Sequence, residues 1–92
     1  MKDKVVIITG ASSGIGYATA KAFAKLDAKV VIAARSIGSL KDLEQELVNL
    51  GKQVLAVKTD VSVEEECKNL IDQAIQRFGK LDILINNAGI SM

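Results

Sequence analysis

Ninety-two residues suffice for one small domain and not for two, and 49% apolar content marks the chain as globular rather than disordered. The net charge of +1 gives no electrostatic basis for a nucleic-acid or membrane partner, and without histidine and with one cysteine neither a metal site nor an internal disulfide is expected. No apolar stretch approaches the ~20 residues of a membrane helix, and Met1-Lys2-Asp3-Lys4 runs straight into a strand without a secretory signal, so the expected location is cytoplasmic.

The apolar run from Val5 to Thr9 reads as a buried strand. Ile15, Ala18, Ala22, Phe23 and Leu26 recur at helical spacing and predict a helix over Ile15–Leu26 with that stripe inward. Tyr17 and Lys21 fall opposite the stripe and are expected in solvent as an i,i+4 pair. Lys29–Ala34 is a second apolar run and a second strand. Residues 36–39 read as a turn, and Leu40, Leu43, Leu47 and Leu50 mark the next helix, which Gly51 ends. Val54 to Val57 form a third strand. Ser62 and Glu65 have capping-box spacing. Cys67, Leu70, Ile71, Ala74, Ile75 and Phe78 then give the clearest helical period of the chain, closed by Gly79. Ile83 to Ile85 form a fourth strand.

Strands that are apolar throughout are covered on both faces, which points to a parallel sheet, and the strand-helix alternation agrees. Right-handed crossovers favour an α/β, Rossmann-type doubly wound sheet of order 3-2-1-4 with three helices. The chain is expected to be one partial dinucleotide-binding segment over residues 1–92, with its ligand where the strand order reverses.

The turn between the first strand and helix carries Gly10, Gly14 and Gly16. Glycine permits positive φ and close approach of a ligand, and a helix start presents unpaired N–H groups and partial positive charge. Together these make an anion site, with Ser12 and Ser13 adding hydroxyls; the alternative is a tight turn without a ligand. The G-x-x-x-G-x-G spacing is not a P-loop, because Tyr17 follows Gly16 where Lys and Ser or Thr would be needed. Arg35 follows the second strand, where an acid would suit a ribose 2′-hydroxyl and an Arg suits a 2′-phosphate, so NADP is favoured over NAD. The alternative is a solvated surface Arg. Asp60 follows the third strand, placed either to accept from an adenine amino group or to serve as a turn residue. Asn86-Asn87-Ala88-Gly89 ends the fourth strand. Its asparagines can tie the glycine turn to the neighbouring strand, or the stretch is an ordinary turn.

Thr9 to Gly16, Asp60-Val61 and Asn86-Asn87-Ala88-Gly89 together resemble the short-chain dehydrogenase/reductase family. The resemblance covers essentially the whole chain and implies NAD(P)-dependent interconversion of an alcohol and a carbonyl. It implies that Ser12, Ser13 and Ile15 border the cofactor phosphates, Arg35 the 2′-phosphate, and Asp60 with Val61 the adenine. Asn87, Ala88 and Gly89 would line the ribose side. Asp27 stands where the family commonly has Gly. The family's catalytic Ser and Tyr-x-x-x-Lys lie well beyond the Asn-Asn-Ala-Gly motif, so this chain holds no catalytic residue and is expected to be inactive alone. The partners implied are the dinucleotide and a small alcohol or carbonyl substrate. A non-catalytic NAD(P)-binding module or sensor is the alternative. With one helix for the second face of the sheet and an open fourth strand, the chain is expected to form a homo-oligomer or to be poorly stable.

Overall fold

The strands form where apolar, β-branched residues run together. In the computed structural model, which describes residues 1–12 and 14–87, these are β1 (Val5–Thr9), β2 (Lys29–Ala34), β3 (Val54–Lys58) and β4 (Ile83–Asn86). Between them lie α1 (Gly14–Lys25), α2 (Ile37–Asn49) and α3 (Glu64–Phe78). All pairings are parallel, in the order β3-β2-β1-β4, with Val5 opposite Lys29 and Val6 opposite Ile83. Period-2 alternation then divides the core in two. Val6, Ile8, Val30 and Ile32 pack with α1 and α2, while Val5, Ile7, Val31 and Ala33 pack with Leu70 and Ala74 of α3. Covered on both sides, Val5 to Ile8 are fully buried. Residues 36–39 do not form a free-standing turn: Ile37, Gly38 and Ser39 are already the first turn of α2.

The buried face of α1 differs from the expected one. Gly16, Ala20 and Ala24 face the sheet, with Tyr17 and Phe23 half-buried beside them, while Ile15 is 46% and Leu26 55% exposed. The reason is steric. A helix pressed closely on a sheet needs small residues at the contact, and the alanines at 18, 20, 22 and 24 leave two faces equally apolar. Close approach selects the face without large side chains. The same rotation turns Tyr17 and Lys21 toward α2 instead of solvent: Glu46 accepts a hydrogen bond from the Tyr17 hydroxyl at 3.1 Å and pairs with Lys21 at 2.9 Å.

Helix α2 buries Leu40, Leu43 and Leu47 as expected, while Leu50 lies past its end and is exposed. It closes in a Schellman arrangement: Gly51, at φ +76°, donates to the Val48 carbonyl at 2.9 Å, and Lys52 donates to Leu47 at 3.0 Å. The Ser62–Glu65 capping box does not form. Asp60, two residues earlier, captures both the Ser62 hydroxyl (2.6 Å) and N–H (3.0 Å), and Glu66 takes the Asp60 N–H at 2.9 Å. A nearby carboxylate accepts more strongly than the helix donors reward the hydroxyl. Asp27, before β2, sits at φ +64°, the left-handed backbone for which glycine is suited, with Lys52 on its carboxylate at 3.0 Å.

Strand β4 is tied on at its start. The Asp82 carboxylate accepts the Val5 N–H at 2.8 Å, the Asp82 N–H donates to the Val5 carbonyl at 3.0 Å, and Lys80 lies 3.3 Å from the carboxylate. The Val5 hydrogen bond, helped by Lys80, holds the Asp82 carboxyl below its usual range. A depressed folded value contributes stability above the unfolded value that is lost as pH falls through the folded one. Asp82→Ala is therefore expected to lower stability at pH 7 and to lose less of it below about pH 4 than the wild type does. Urea unfolding at pH 7 and pH 3 checks this; equal acid sensitivity in both proteins would remove Asp82 from the acid response.

Candidate functional site

The carboxyl ends of the strands open into one cleft of about 670 Å³. Of the residues singled out in the sequence, Gly10, Ser12, Gly14, Ile15, Gly16, Arg35, Asp60, Val61 and Asn87 line it. Ser13, Ala88 and Gly89 lie outside the described residues. Ser36, Thr59 and Ser62 also line the cleft; Ser36 and Thr59 carry no site motif in the sequence, and the spacing of Ser62 pointed to a helix cap rather than to a site.

The glycine turn is built by contact as much as by dihedral freedom. Gly10 and Gly14 sit at φ +63° and +57°. A Cβ on Gly14 would meet no other part of the protein within 4 Å, so the backbone of this cleft-lining glycine is open. A Cβ on Gly16 would lie 2.1 Å from the Gly10 carbonyl oxygen. Gly16 thus brings the start of α1 onto the end of β1, and the Ala11 N–H, bonded to the Ala33 carbonyl at 3.1 Å, pins the turn to β2. Neither α1 nor α2 has an acidic residue in its first turn, whereas α3 has three glutamates there. The two helix starts beside Arg35 and the glycine turn thus carry nothing that repels an anion.

Asp60 is held ionised by its neighbours. The Ser62 hydroxyl and N–H, with a smaller electrostatic contribution from Arg35, keep its carboxyl below the usual range. Both Ser62 bonds end on Oδ1. As a carboxylate it only accepts hydrogen bonds.

Thr9 joins the two central strands at the switch point, a role its sequence position alone did not suggest. Its hydroxyl donates to Asn86 Oδ1 at 2.7 Å and accepts the Asn87 N–H at 3.0 Å. A polar residue closing an otherwise apolar buried strand, with 4% exposure, was the available signal. The asparagines thus reach the glycine turn through Thr9, the residue before Gly10. Among the described residues, Asn87 Nδ2 is the buried side-chain atom left without a hydrogen-bond partner, and Asn87 lines the cleft. Such an atom calls for an acceptor from a ligand or water. Tyr17 and Lys21, despite their Tyr-x-x-x-Lys spacing, do not line this cleft. Burial and the Glu46 carboxylate hold the Tyr17 hydroxyl above its usual pKa.

The comparisons with known proteins agree with this geometry. Residues 4–92 match the short chain dehydrogenase family, and the chain belongs to it. It is 50% identical over 88 residues to an 11-beta-hydroxysteroid dehydrogenase A of Sesamum indicum, a match that covers 95% of this chain and 25% of the sesame protein. A short chain dehydrogenase/reductase of Burkholderia phymatum solved with NAD superposes with a TM-score of 0.88 at 40% identity, over 90% of this chain and 30% of that one. A metagenomic short-chain oxidoreductase solved with NADP gives 0.90 at 33% identity, over 98% and 41%. The sheet order and three helices are thus those of a Rossmann-type fold, and the chain spans about a quarter to two-fifths of these relatives. No helix among the described residues is long and apolar enough to cross a membrane.

The two structured glycines separate experimentally. Gly16→Ala forces backbone apart and is expected to cost about 1–3 kcal/mol or more, the range of an overpacked core. Gly14→Ala meets only the left-handed strain of about 1–2 kcal/mol. For a domain of this size each kcal/mol is roughly 4–8 °C of melting temperature. Thermal unfolding should rank Gly16→Ala below Gly14→Ala; the reverse order would contradict the close-contact account.

Proposed function

We propose that this chain is the cofactor-binding segment of an NADP-dependent oxidoreductase acting on an alcohol–carbonyl pair. The observation that carries this is a single cleft joining the glycine turn at the start of α1 to Arg35 and Asp60. The cleft brings together groups suited to the separate parts of a dinucleotide. Backbone N–H groups of the turn and first helical residues would meet the pyrophosphate. Arg35, with no acid beside it at the end of β2, would meet a 2′-phosphate, and the ionised Asp60 would accept from the adenine amino group. The partnerless Asn87 amide and the open space over Gly14 fit a ligand held against the backbone. Relatives solved with NAD and with NADP share this fold, and Arg35 supports NADP. The hydroxysteroid dehydrogenase name of the sesame relative supports an alcohol as the reduced partner. When bound, the nicotinamide supplies the hydride chemistry; these residues bind and orient it. The 92 residues alone bind without turnover on this proposal, since none of the cleft residues described is a proton donor matched to carbonyl reduction.

Arg35→Asp tests the cofactor assignment. Loss of a charge-assisted hydrogen bond costs ~1.5–3 kcal/mol, which is about ten-fold or more in NADP(H) dissociation constant. NAD(H) binding should change much less. Parallel titrations with the two cofactors decide, and an unchanged NADP/NAD ratio in the variant rejects the 2′-phosphate role.

We also propose self-association of the chain through β4. This strand is the sheet edge beside β1, its side chains Ile83, Leu84 and Ile85 are uncharged, and Leu84, on the same face as α3 but not covered by it, is 53% exposed. An apolar edge without charge is a template for another chain. Sedimentation velocity on the purified chain at tens of micromolar should show dimers or larger species, or a protein that unfolds readily. A compact, stable monomer would end this proposal.

A further inference from the structure

Helices α1 and α2 lie on the same face of the sheet, and both begin at the cleft. What fixes one against the other is a separate question from what buries them. Apolar burial is non-directional, so hydrogen bonds and ion pairs add the directional part of the contact. The directional contacts between them converge on one carboxylate. Glu46, in the third turn of α2, accepts the Tyr17 hydroxyl on Oε1 at 3.1 Å and the Lys21 ammonium on Oε2 at 2.9 Å. Lys21 in turn sits 5.5 Å from the centre of the Tyr17 ring. The three side chains are half-buried, and each is used by the other two. Tyr17 directly follows Gly16, the residue pressed against the Gly10 carbonyl. Whatever holds Tyr17 therefore holds the first turn of α1, and with it the glycine turn.

We propose that Glu46 is a positioning residue for dinucleotide binding: by gripping Tyr17 and Lys21 it fixes α1 against α2 and, with the β1–β2 ladder and the Ala11–Ala33 hydrogen bond, sets the span between the glycine turn and Arg35. The proposal rests on the dinucleotide reading of the cleft. A half-exposed ion pair contributes little to stability, so the function of this cluster is geometric. A ligand that reaches both ends of the cleft needs the span to be right. A ligand that touches one end does not. The contribution therefore appears as a coupling between the two ends rather than as strength at either.

The test compares three probes on the wild type and on Glu46→Ala: NADPH, which spans both ends, inorganic pyrophosphate, which reaches only the glycine turn, and adenosine 2′-monophosphate, which reaches only Arg35 and Asp60. Amide chemical-shift titrations read all three, well below the melting temperature of each protein. The expected result is a loss of about five-fold or more for NADPH with changes under about two-fold for the two partial ligands. Tyr17→Phe, which removes one hydrogen bond at nearly constant shape, should lose NADPH affinity in the same pattern but less, and it carries the test if Glu46→Ala does not fold. Equal weakening of all three probes means a purely structural role and overturns the proposal, as does unchanged NADPH binding. If the wild type binds none of the three, the dinucleotide reading itself falls, and the positioning role with it. Partial ligands that bind while NADPH binding is insensitive to Glu46 overturn only the positioning role.

Discussion

A Cβ at position 16 would stand 2.1 Å from the Gly10 carbonyl oxygen, and much of the molecule follows from that one close approach. With the start of α1 pressed on the end of β1, small residues, Gly16, Ala20 and Ala24, are the ones buried beneath the helix. The larger Ile15 and Leu26 are turned outward and Tyr17 is turned toward α2. The same contact brings the unpaired N–H groups of the first turn to the mouth of the cleft, beside Gly14, where the backbone is open. Packing and ligand access are thus settled by one steric condition.

The sheet shows what a single crossover helix can and cannot cover. Helices α1 and α2 share one face because the β1-to-β2 and β2-to-β3 crossovers run in the same direction, and α3, on the return to β4, has the other face to itself. It covers Val5, Ile7, Val31 and Ala33 but not Leu84. Strand β4 is held by its ladder to β1, by Asp82 at one end and by Thr9 at the other. Both ties are polar and act through backbone or short side chains, so β4 keeps its register without a helix on top of it. That register places Asn86 and Asn87 at the glycine turn.

Much of this was legible in the sequence because it depends on pattern. Strands buried on both faces read as unbroken apolar runs, and Val5 to Thr9 and Lys29 to Ala34 have the bounds their composition suggested. The strand order follows from chirality and the alternation of elements, and Gly51 and Gly79 mark helix ends because they take the left-handed backbone there. What was not legible depends on distance. Alanine is apolar on either face of α1, so periodicity alone could not say which face meets the sheet; the Gly10–Gly16 contact decides it. Ser62 has capping-box spacing to Glu65, yet Asp60 lies closer to its hydroxyl. The pairing of Tyr17 with Glu46 spans 29 residues, and nothing local in either helix announces it.

The cleft also divides its work between backbone and side chains. The glycine turn offers N–H groups and helix ends, which attract any phosphate whatever the rest of the ligand is. Arg35 and Asp60 follow separate strand ends, and the Arg35 charge adds to the Ser62 hydrogen bonds that keep Asp60 ionised. In the proposed complex these two would choose among nucleotides, because a guanidinium and a carboxylate ask for opposite partners at fixed places. Affinity from the turn and selectivity from the strand ends can then vary separately. The β1–β2 ladder and the Ala11–Ala33 hydrogen bond join them through the sheet, and the relative placement of α1 and α2 joins them a second time, since the turn leads into one helix and Arg35 into the other. A substitution between the helices can therefore change the fit of the whole ligand while leaving every contacting residue in place.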